Sequence, residues 1–144
     1  MDADGRHDPV FIDLLLSQLS SADVIVGSRF LGGNSYVMSP IRRIGCYLLS
    51  FAGRLAGIKI TDPTSGFQAL SSKALAIAIE DQYPLHYPDV DVLMLMARNR
   101  LRIMEVPVQM HPIIDRKGMH AGFQVLYYGI KMFLSILVMK LRKA

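Results

Sequence analysis

Apolar residues recur at helical spacing early in the chain and then close up into a short continuous run. Four of them share one face of a helix: Phe11, Leu14, Leu15 and Leu19. Asp8-Pro9 stands just before them, and an N-cap aspartate followed by proline is a typical helix start. This pattern predicts an amphipathic helix over residues 9–20. The β-branched run at residues 22–27 (ADVIVG) predicts a buried strand directly after it.

Helix and strand patterns go on alternating through the rest of the chain. Ser39-Pro40 repeats the helix-start signal, and Gly57 is a stop signal for that second helix. Its apolar stripe consists of Ile41, Ile44, Leu48, Phe51 and Leu55. Further elements are predicted as short strands at 58–60 and 67–70, helices at 72–79 and 87–99, and a strand at 101–110. Pro107 indicates an edge strand or a bulge there, and the alternation as a whole is typical of the α/β class.

The last apolar segment, residues 121–139, approaches the length of a membrane span and needs separate treatment. Among its nineteen residues only Gln124 and Lys131 are strongly polar. Most of its large apolar side chains nevertheless share one helical face, and Lys131 interrupts the run. The pattern favours an amphipathic helix that lies on a membrane surface or packs on the core, with a true span as the alternative.

Composition narrows the class of protein. A chain of 144 residues that is 51% hydrophobic, with a formal net charge of only +4, indicates one globular domain and excludes a disordered chain. The single cysteine excludes a disulfide scaffold and a cysteine-rich zinc module. No exposed aromatics interleave with the basic residues in a recognisable reading module, so we expect no nucleic-acid partner.

The charges are unevenly distributed along the chain. Residues 1–30 carry five Asp against two Arg, whereas residues 98–144 carry nine Lys or Arg against two acidic residues. The acidic front suggests a cation site, and the basic tail suggests phosphates of a ligand or of a membrane surface. In the front, Asp2 and Asp4 would point the same way from an extended chain and could both face one divalent cation. The alternative is a solvated acidic N-terminus.

Four short sequence motifs follow one another between residues 1 and 108. They are MDADGRHDP at 1–9, GSRF at 27–30, DPTSGF at 62–67 and EVPV at 105–108. Together they resemble the family-2 inverting glycosyltransferases, and within these the polyprenol-phosphate sugar transferases. The resemblance implies part of a GT-A fold, a mixed sheet flanked by helices. The N-terminal nucleotide-binding βαβ half would be missing, since it precedes the Asp-x-Asp in that family.

The resemblance also implies roles for eight residues. Asp2 and Asp4 would hold Mg²⁺ or Mn²⁺ on the donor diphosphate, which Arg116 would also bind. Arg29 and Arg42 would bind the acceptor phosphate. The catalytic carboxylates near the acceptor would be Asp62, Asp89 and Asp91. Considered without the resemblance, Arg29 could be an ordinary strand-end arginine, Asp62 a turn cap, and Asp89 and Asp91 charges that stabilise a helix start.

Three positions depart from the family pattern. Cys46 stands where the family has a serine, Gln68 where it often has an arginine, and Met119-His120 where a serine is expected. Cysteine is a weaker hydrogen-bond partner than serine, so the acceptor phosphate would lose a contact at position 46.

The resemblance predicts a metal-dependent, inverting transfer of a sugar from a nucleotide sugar to an acceptor such as a polyprenyl phosphate or a sugar. Residues 1–120 would form the metal and acceptor part, and residues 121–144 an amphipathic helix at the membrane surface. We expect a cytoplasmic protein, peripheral at the inner face of the membrane, that acts with a missing N-terminal half or as a homo-oligomer. The alternative is a truncated, non-catalytic half-domain that binds a membrane surface or a partner protein.

Overall fold

A computed structural model describes Gly5, Tyr36, Met38 and residues 7–33, 40–55, 57–79 and 90–111. At positions 41, 42, 52, 55, 90 and 91 the description covers the backbone alone. The predicted tail helix at 121–139, the boundary at residue 120 and the start of the helix predicted at 87–99 lie outside these residues.

Among the described residues three strands form a mixed sheet, which confirms the α/β class and is consistent with a partial GT-A fold. β1 (Val24–Ser28) is central, with β2 (Gln68–Leu70) antiparallel on one side and β3 (Ile103–Pro107) parallel on the other. All five residues of β1 are buried, which explains why its sequence is apolar rather than alternating. Within the described residues β3 pairs with β1 alone, so Pro107 lies at the end of an edge strand.

In the part of the chain that the structure describes, four α-helices surround the sheet, and local sequence signals set several of their ends. They are α1 (Ile12–Ser17, with 3-10 turns before and after it), α2 (Pro40–Leu55), α3 (Ser72–Ala78) and α4 (Val90–Arg98). The Asp8 carboxylate accepts a 3.0 Å hydrogen bond from the Val10 amide, and the Ser71 hydroxyl caps α3. Gly57 ends α2 with a φ of 87°, in the left-handed region that glycine tolerates.

Alternate side chains of β1 reach opposite faces of the sheet and join two hydrophobic cores. On one face, Val24 and Val26 pack with α4 and with Ile58 and Ile60. On the other face, Ile25 packs with Leu15 of α1 and with residues around the ends of β2 and β3. This arrangement follows from the two-residue period of a strand, and it requires helices on both faces.

The structure corrects the strand predicted at residues 58–60 and shows which side of α2 packs on the protein. Residues 58–60 form no strand, because their backbone has no sheet partner among the described residues, although Ile58 and Ile60 are buried. The apolar stripe of α2 faces away from the core, with Ile44, Leu48 and Phe51 all exposed. The opposite side of that helix, which carries Cys46 and Ser50, packs on the protein instead. No helix among the described residues is long and apolar enough to cross a membrane.

A glycine in β1 provides a test of the packing between the strands. A β-carbon at Gly27 would lie 3.0 Å from the Val108 Cγ1 and 3.2 Å from the Phe67 carbonyl oxygen. Both neighbours are buried, so we expect Gly27→Ala to lower the free energy of unfolding by about 1–3 kcal/mol. Gly45→Ala on α2 is the matched control, since its β-carbon would meet nothing within 4 Å. It should raise stability by about 0.5–1 kcal/mol.

Urea unfolding followed by circular dichroism measures both changes. Equal stability of the Gly27→Ala variant and the parent would show that Val108 yields and that the packing at β1 is looser than described.

Candidate functional site

The candidate site lies where the parallel strands β1 and β3 end. Ser28 and Pro107 are paired at these ends, and Arg29 is the first residue after β1. The loop over residues 61–65 approaches the same edge, as its contacts with Arg29, Ser28 and Glu105 show. Ligands of open α/β sheets bind outside the carboxyl ends of the strands, so this edge is the natural place for a site.

At the centre of this edge, Arg29 and Asp62 form a buried, two-pronged ion pair. The Arg29 Nε donates to the Asp62 Oδ2 and its Nη2 to the Asp62 Oδ1, both at 2.6 Å. The Arg29 backbone amide donates to the same Oδ2 at 3.0 Å. Arg29 is only 5% exposed and Asp62 is fully buried. A fork of this kind fixes the guanidinium plane as well as its position.

Asp62 has little capacity left for any other partner. Besides accepting three hydrogen bonds from Arg29, it has its Oδ1 3.3 Å from the Thr64 hydroxyl. Each carboxylate oxygen therefore accepts two hydrogen bonds. Arg29 also donates from Nη2 to the Thr64 hydroxyl at 2.7 Å. Its Nη1 makes no hydrogen bond to any residue in the described part of the chain. The carboxylate thus fixes the orientation of the buried arginine.

The electrostatic balance keeps Arg29 charged. Burial alone would lower the pKa of this guanidinium, but the hydrogen bonds and negative charge of Asp62 outweigh burial and raise it above its usual value. The guanidinium carbon also lies 5.6 Å from the ring centre of Phe30 and 5.3 Å from that of Tyr36. The site therefore contains a permanent cation whose charge Asp62 largely neutralises.

Glu105 of β3 anchors the loop that supplies Asp62. Its carboxylate accepts hydrogen bonds from the backbone amides of Thr61 at 2.8 Å and Asp62 at 2.7 Å. The Thr61 hydroxyl adds a third contact at 3.0 Å. Glu105 is the first residue of the EVPV motif at 105–108, but the sequence analysis predicted no role for it. The available signal was a lone carboxylate inside an otherwise apolar strand, which needs partners when it is partly buried.

Two side chains of α2 attach this helix to the loop. The Ser50 hydroxyl donates to the Thr61 carbonyl oxygen at 2.9 Å, and the Cys46 Sγ lies 3.3 Å from the Thr64 hydroxyl. At the other end of the loop, the Ser65 hydroxyl donates to the Gly27 carbonyl oxygen at 2.6 Å. Strand, loop and helix are thereby joined through neutral hydrogen bonds around the ion pair.

Of the eight residues assigned from the sequence, the structure brings Arg29 and Asp62 into direct contact. Arg42 lies on α2 and Asp91 on α4, in both cases with the backbone alone described. The remaining four lie outside the described residues: Asp2, Asp4, Asp89 and Arg116. Within the described ranges no group of three or more His, Cys, Asp or Glu could hold a metal, so the Asp2 and Asp4 metal site stays a prediction.

Comparison with known proteins gives relatives but no family model that matches. The chain is 31% identical over 147 residues to the UDP-N-acetylglucosamine--dolichyl-phosphate N-acetylglucosaminyltransferase of Methanococcus voltae, covering 99% of this chain and 57% of the relative. It is 36% identical to the undecaprenyl-phosphate mannosyltransferase of Micrococcus luteus, over 75% of this chain and 46% of the relative. Identity to the polyprenol monophosphomannose synthase of Mycolicibacterium smegmatis is 28%, over 75% and 43% respectively.

These matches confirm the family resemblance seen in the motifs. The chain spans about half the length of the curated relatives it matches.

The ion pair can be tested by comparing it with an exposed one. We expect Arg29→Ala to lower the free energy of unfolding by about 3–5 kcal/mol, because it leaves the Asp62 carboxylate buried and unpaired. Arg102→Ala is the matched control. The Arg102 Nε lies 4.0 Å from the Asp23 Oδ2, and its side chain is 70% exposed. Its loss should amount to less than about 1 kcal/mol.

Denaturant unfolding of Arg29→Ala, of Asp62→Ala and of the double variant Arg29→Ala/Asp62→Ala measures the coupling energy between the two side chains. The double variant should lose clearly less than the sum of the Arg29→Ala and Asp62→Ala variants. Strict additivity would mean that the pair contributes no mutual stabilisation.

Proposed function

We propose that this chain forms the acceptor side of a polyprenyl-phosphate glycosyltransferase. Its curated homologues are enzymes of this kind, as its motifs predicted. The reaction would transfer a sugar from a nucleotide sugar to a polyprenyl phosphate. The observation that carries this proposal is the oriented Arg29, held by Asp62 at the carboxyl edge of the sheet. A planar guanidinium in that position suits a phosphate oxygen. The alternative of a non-catalytic module is not favoured, because all three relatives are named as transferases or synthases.

Recognition of the acceptor would need more than one cation. Asp62 neutralises much of the charge of Arg29, so this arginine would contribute geometry more than attraction. Arg42, in the first turns of α2, would supply the second cation, and the N-terminus of a helix itself favours anions. Thr64 would contribute to the position of Arg29 rather than to the chemistry.

A phosphate acceptor simplifies the chemistry. It is already ionised near neutral pH, so the attack on the anomeric carbon needs no strong general base. Asp62, whose oxygens are engaged by Arg29, would then act by orienting that arginine. Were the acceptor a sugar hydroxyl instead, Asp89 or Asp91 would be the candidate base.

On the donor side, Asp2 and Asp4 would hold Mg²⁺ or Mn²⁺, and Arg116 would bind the diphosphate. The metal would supply charge neutralisation for the departing nucleoside diphosphate. In-line displacement would invert the configuration at the anomeric carbon. Because the acceptor is a membrane lipid, we place the protein at the inner, cytoplasmic membrane surface, where the basic tail at 121–144 would add attraction to anionic lipids. The missing donor contacts would come from an N-terminal half or from a second copy.

The first test is metal-dependent transfer by the full-length protein. With Mg²⁺ or Mn²⁺ we expect labelled sugar from a nucleotide sugar to enter the lipid extract with polyprenyl phosphate, and EDTA should abolish it. Asp2→Asn combined with Asp4→Asn should lower transfer by at least about a hundredfold, since charge stabilisation of a transition state is worth several kcal/mol. Asp13→Asn, at an exposed position on α1, is the control and should keep full transfer. Full activity in EDTA would contradict the metal assignment.

The second test concerns the donor. We expect the 144-residue chain alone to bind nucleotide sugars more weakly than about 1 mM, because the base and ribose contacts are expected in the preceding half. Isothermal titration calorimetry with UDP- and GDP-sugars in the presence of Mg²⁺ measures this. Micromolar binding would show that these residues already contain a donor pocket.

A further inference from the structure

A buried histidine joins two of the sequence motifs inside the protein. His7 belongs to the motif MDADGRHDP at 1–9, and it is only 8% exposed. Its imidazole stacks on the ring of Phe67, the last residue of the motif DPTSGF, with 4.8 Å between the ring centres and 19° between the planes. Stacked rings attract each other beyond the effect of the area that they bury. Two motifs that are far apart in the sequence therefore meet at this stack.

Phe67 is fixed to the carboxyl end of β1. Its carbonyl oxygen accepts a 2.8 Å hydrogen bond from the Gly27 amide, and its own amide donates to the Ser65 hydroxyl oxygen at 3.3 Å. That hydroxyl in turn donates to the Gly27 carbonyl oxygen. Phe67 is therefore a fixed surface at the end of the 61–65 loop, against which the histidine packs.

The same N-terminal segment also contacts the chain that follows β3. His7 forms an isolated antiparallel bridge with Met110. The next residue, Asp8, has its Oδ2 3.8 Å from the His111 Nε2. A buried ring and a backbone bridge together hold this segment more firmly than either contact alone. The N-terminal motif is thus attached both to the end of the 61–65 loop and to the segment after β3.

The attachment point lies close in the sequence to the residues proposed for the two substrates. Asp4 is three residues before His7, and three residues of chain span at most about 11 Å. On the other side of the stack, Asp62 is five residues before Phe67. The stack is therefore a direct link between the donor-side motif and the acceptor-side loop. Such a link matters because a displacement of about 1 Å between reacting groups can lower a rate about a hundredfold.

We propose that His7 is a positioning residue that sets the distance between the donor side and the acceptor side of the site. The inference rests on the proposed function, in which Asp2 and Asp4 serve the donor and the 61–65 loop serves the acceptor. The imidazole acts through Phe67 and not on a substrate, and its role depends on the ring rather than on a proton. Without the ring, each side still binds its own substrate, but the two sides shift relative to each other.

The ratio of two reactions of the full-length protein tests the proposal. In both, the bond from the anomeric carbon to the departing diphosphate breaks. In transfer a new bond forms to a phosphate oxygen of polyprenyl phosphate, and in hydrolysis to the oxygen of a water molecule, which releases a proton to the solvent. Hydrolysis needs the donor side alone. His7→Ala should therefore lower the ratio of transfer to hydrolysis at least about tenfold.

Labelled sugar in the lipid extract and in the aqueous phase measures the two rates. A mere loss of folded protein would lower both rates equally and leave their ratio unchanged. His7→Phe keeps a ring against Phe67, so its ratio should stay within about threefold of the parent ratio. Phe67→Leu removes the other ring of the stack. Combined with His7→Ala, it should lower the ratio no further than the stronger single variant does.

Leu19→Ala is the matched control for stability. Leu19 packs against the same hydrophobic core as Phe67, but it lies in the turn Gln18–Ser20, before the amino end of β1. Its truncation should destabilise the protein and leave the ratio of transfer to hydrolysis unchanged. An equal fall of the ratio in Leu19→Ala and His7→Ala would show that general destabilisation, not positioning by His7, changes it.

Hydrogen exchange followed by mass spectrometry tests the link without any substrate. In His7→Ala the amides of residues 61–68 should exchange at least about fivefold faster than in the parent, because the support at Phe67 is lost. In His7→Phe and in Leu19→Ala these amides should exchange as in the parent. Unchanged exchange in His7→Ala would show that the histidine does not hold the loop.

Two further results would overturn the proposal. A ratio of transfer to hydrolysis that His7→Ala leaves unchanged would show that His7 does not set the distance between the two sides. Equal losses in His7→Phe and His7→Ala would show that the nitrogens matter and the stack on Phe67 does not. A parent protein that transfers no sugar would contradict the proposed function, and the exchange measurement would still decide whether His7 links the N-terminal motif to the loop.

Discussion

The structure around the candidate site depends on one buried interaction, the ion pair between Arg29 and Asp62. Removing two charges from water is costly, and such a pair is tolerated only when its geometry is good and its remaining hydrogen-bonding groups have partners. Here Asp62 is saturated by Arg29 and Thr64, and Glu105 holds the backbone of Asp62 in place. The end of β1, the 61–65 loop and β3 must keep their relative positions for this pair to exist.

Features governed by local signals could be predicted from the sequence, and those governed by distant contacts could not. Asp8-Pro9 and Gly57 act within one turn of chain, so the start of the first helix and the end of α2 were correctly predicted. Arg29 and Asp62 are 33 residues apart, and Asp62 is 43 from Glu105. Nothing in either segment alone specifies those partners. The motifs therefore led to both Arg29 and Asp62 as candidate site residues without revealing that they pair with each other.

The correction at residues 58–60 and the orientation of α2 have a common physical cause. An apolar run predicts that its residues are buried, but it does not predict which element they pack against. Ile58 and Ile60 are buried beside β1 without joining the sheet, so their hydrophobicity resembled that of a strand. On α2 the periodicity was read correctly, yet the side that packs was decided by Ser50 and its hydrogen bond to the 61–65 loop. Polar contacts at a site can thus reverse the usual direction of an amphipathic helix.

That reversal connects the candidate site with the exterior surface of the protein. Ser50 and Leu48 are two residues apart on α2, so one points to the site loop while the other points outward. The same helix contacts the loop at two points, Ser50 at the Thr61 carbonyl oxygen and Cys46 at the Thr64 hydroxyl. Arg29, positioned by Thr64 and Asp62, is one contact further along. The position of this buried arginine therefore depends on the loop to which α2 is attached.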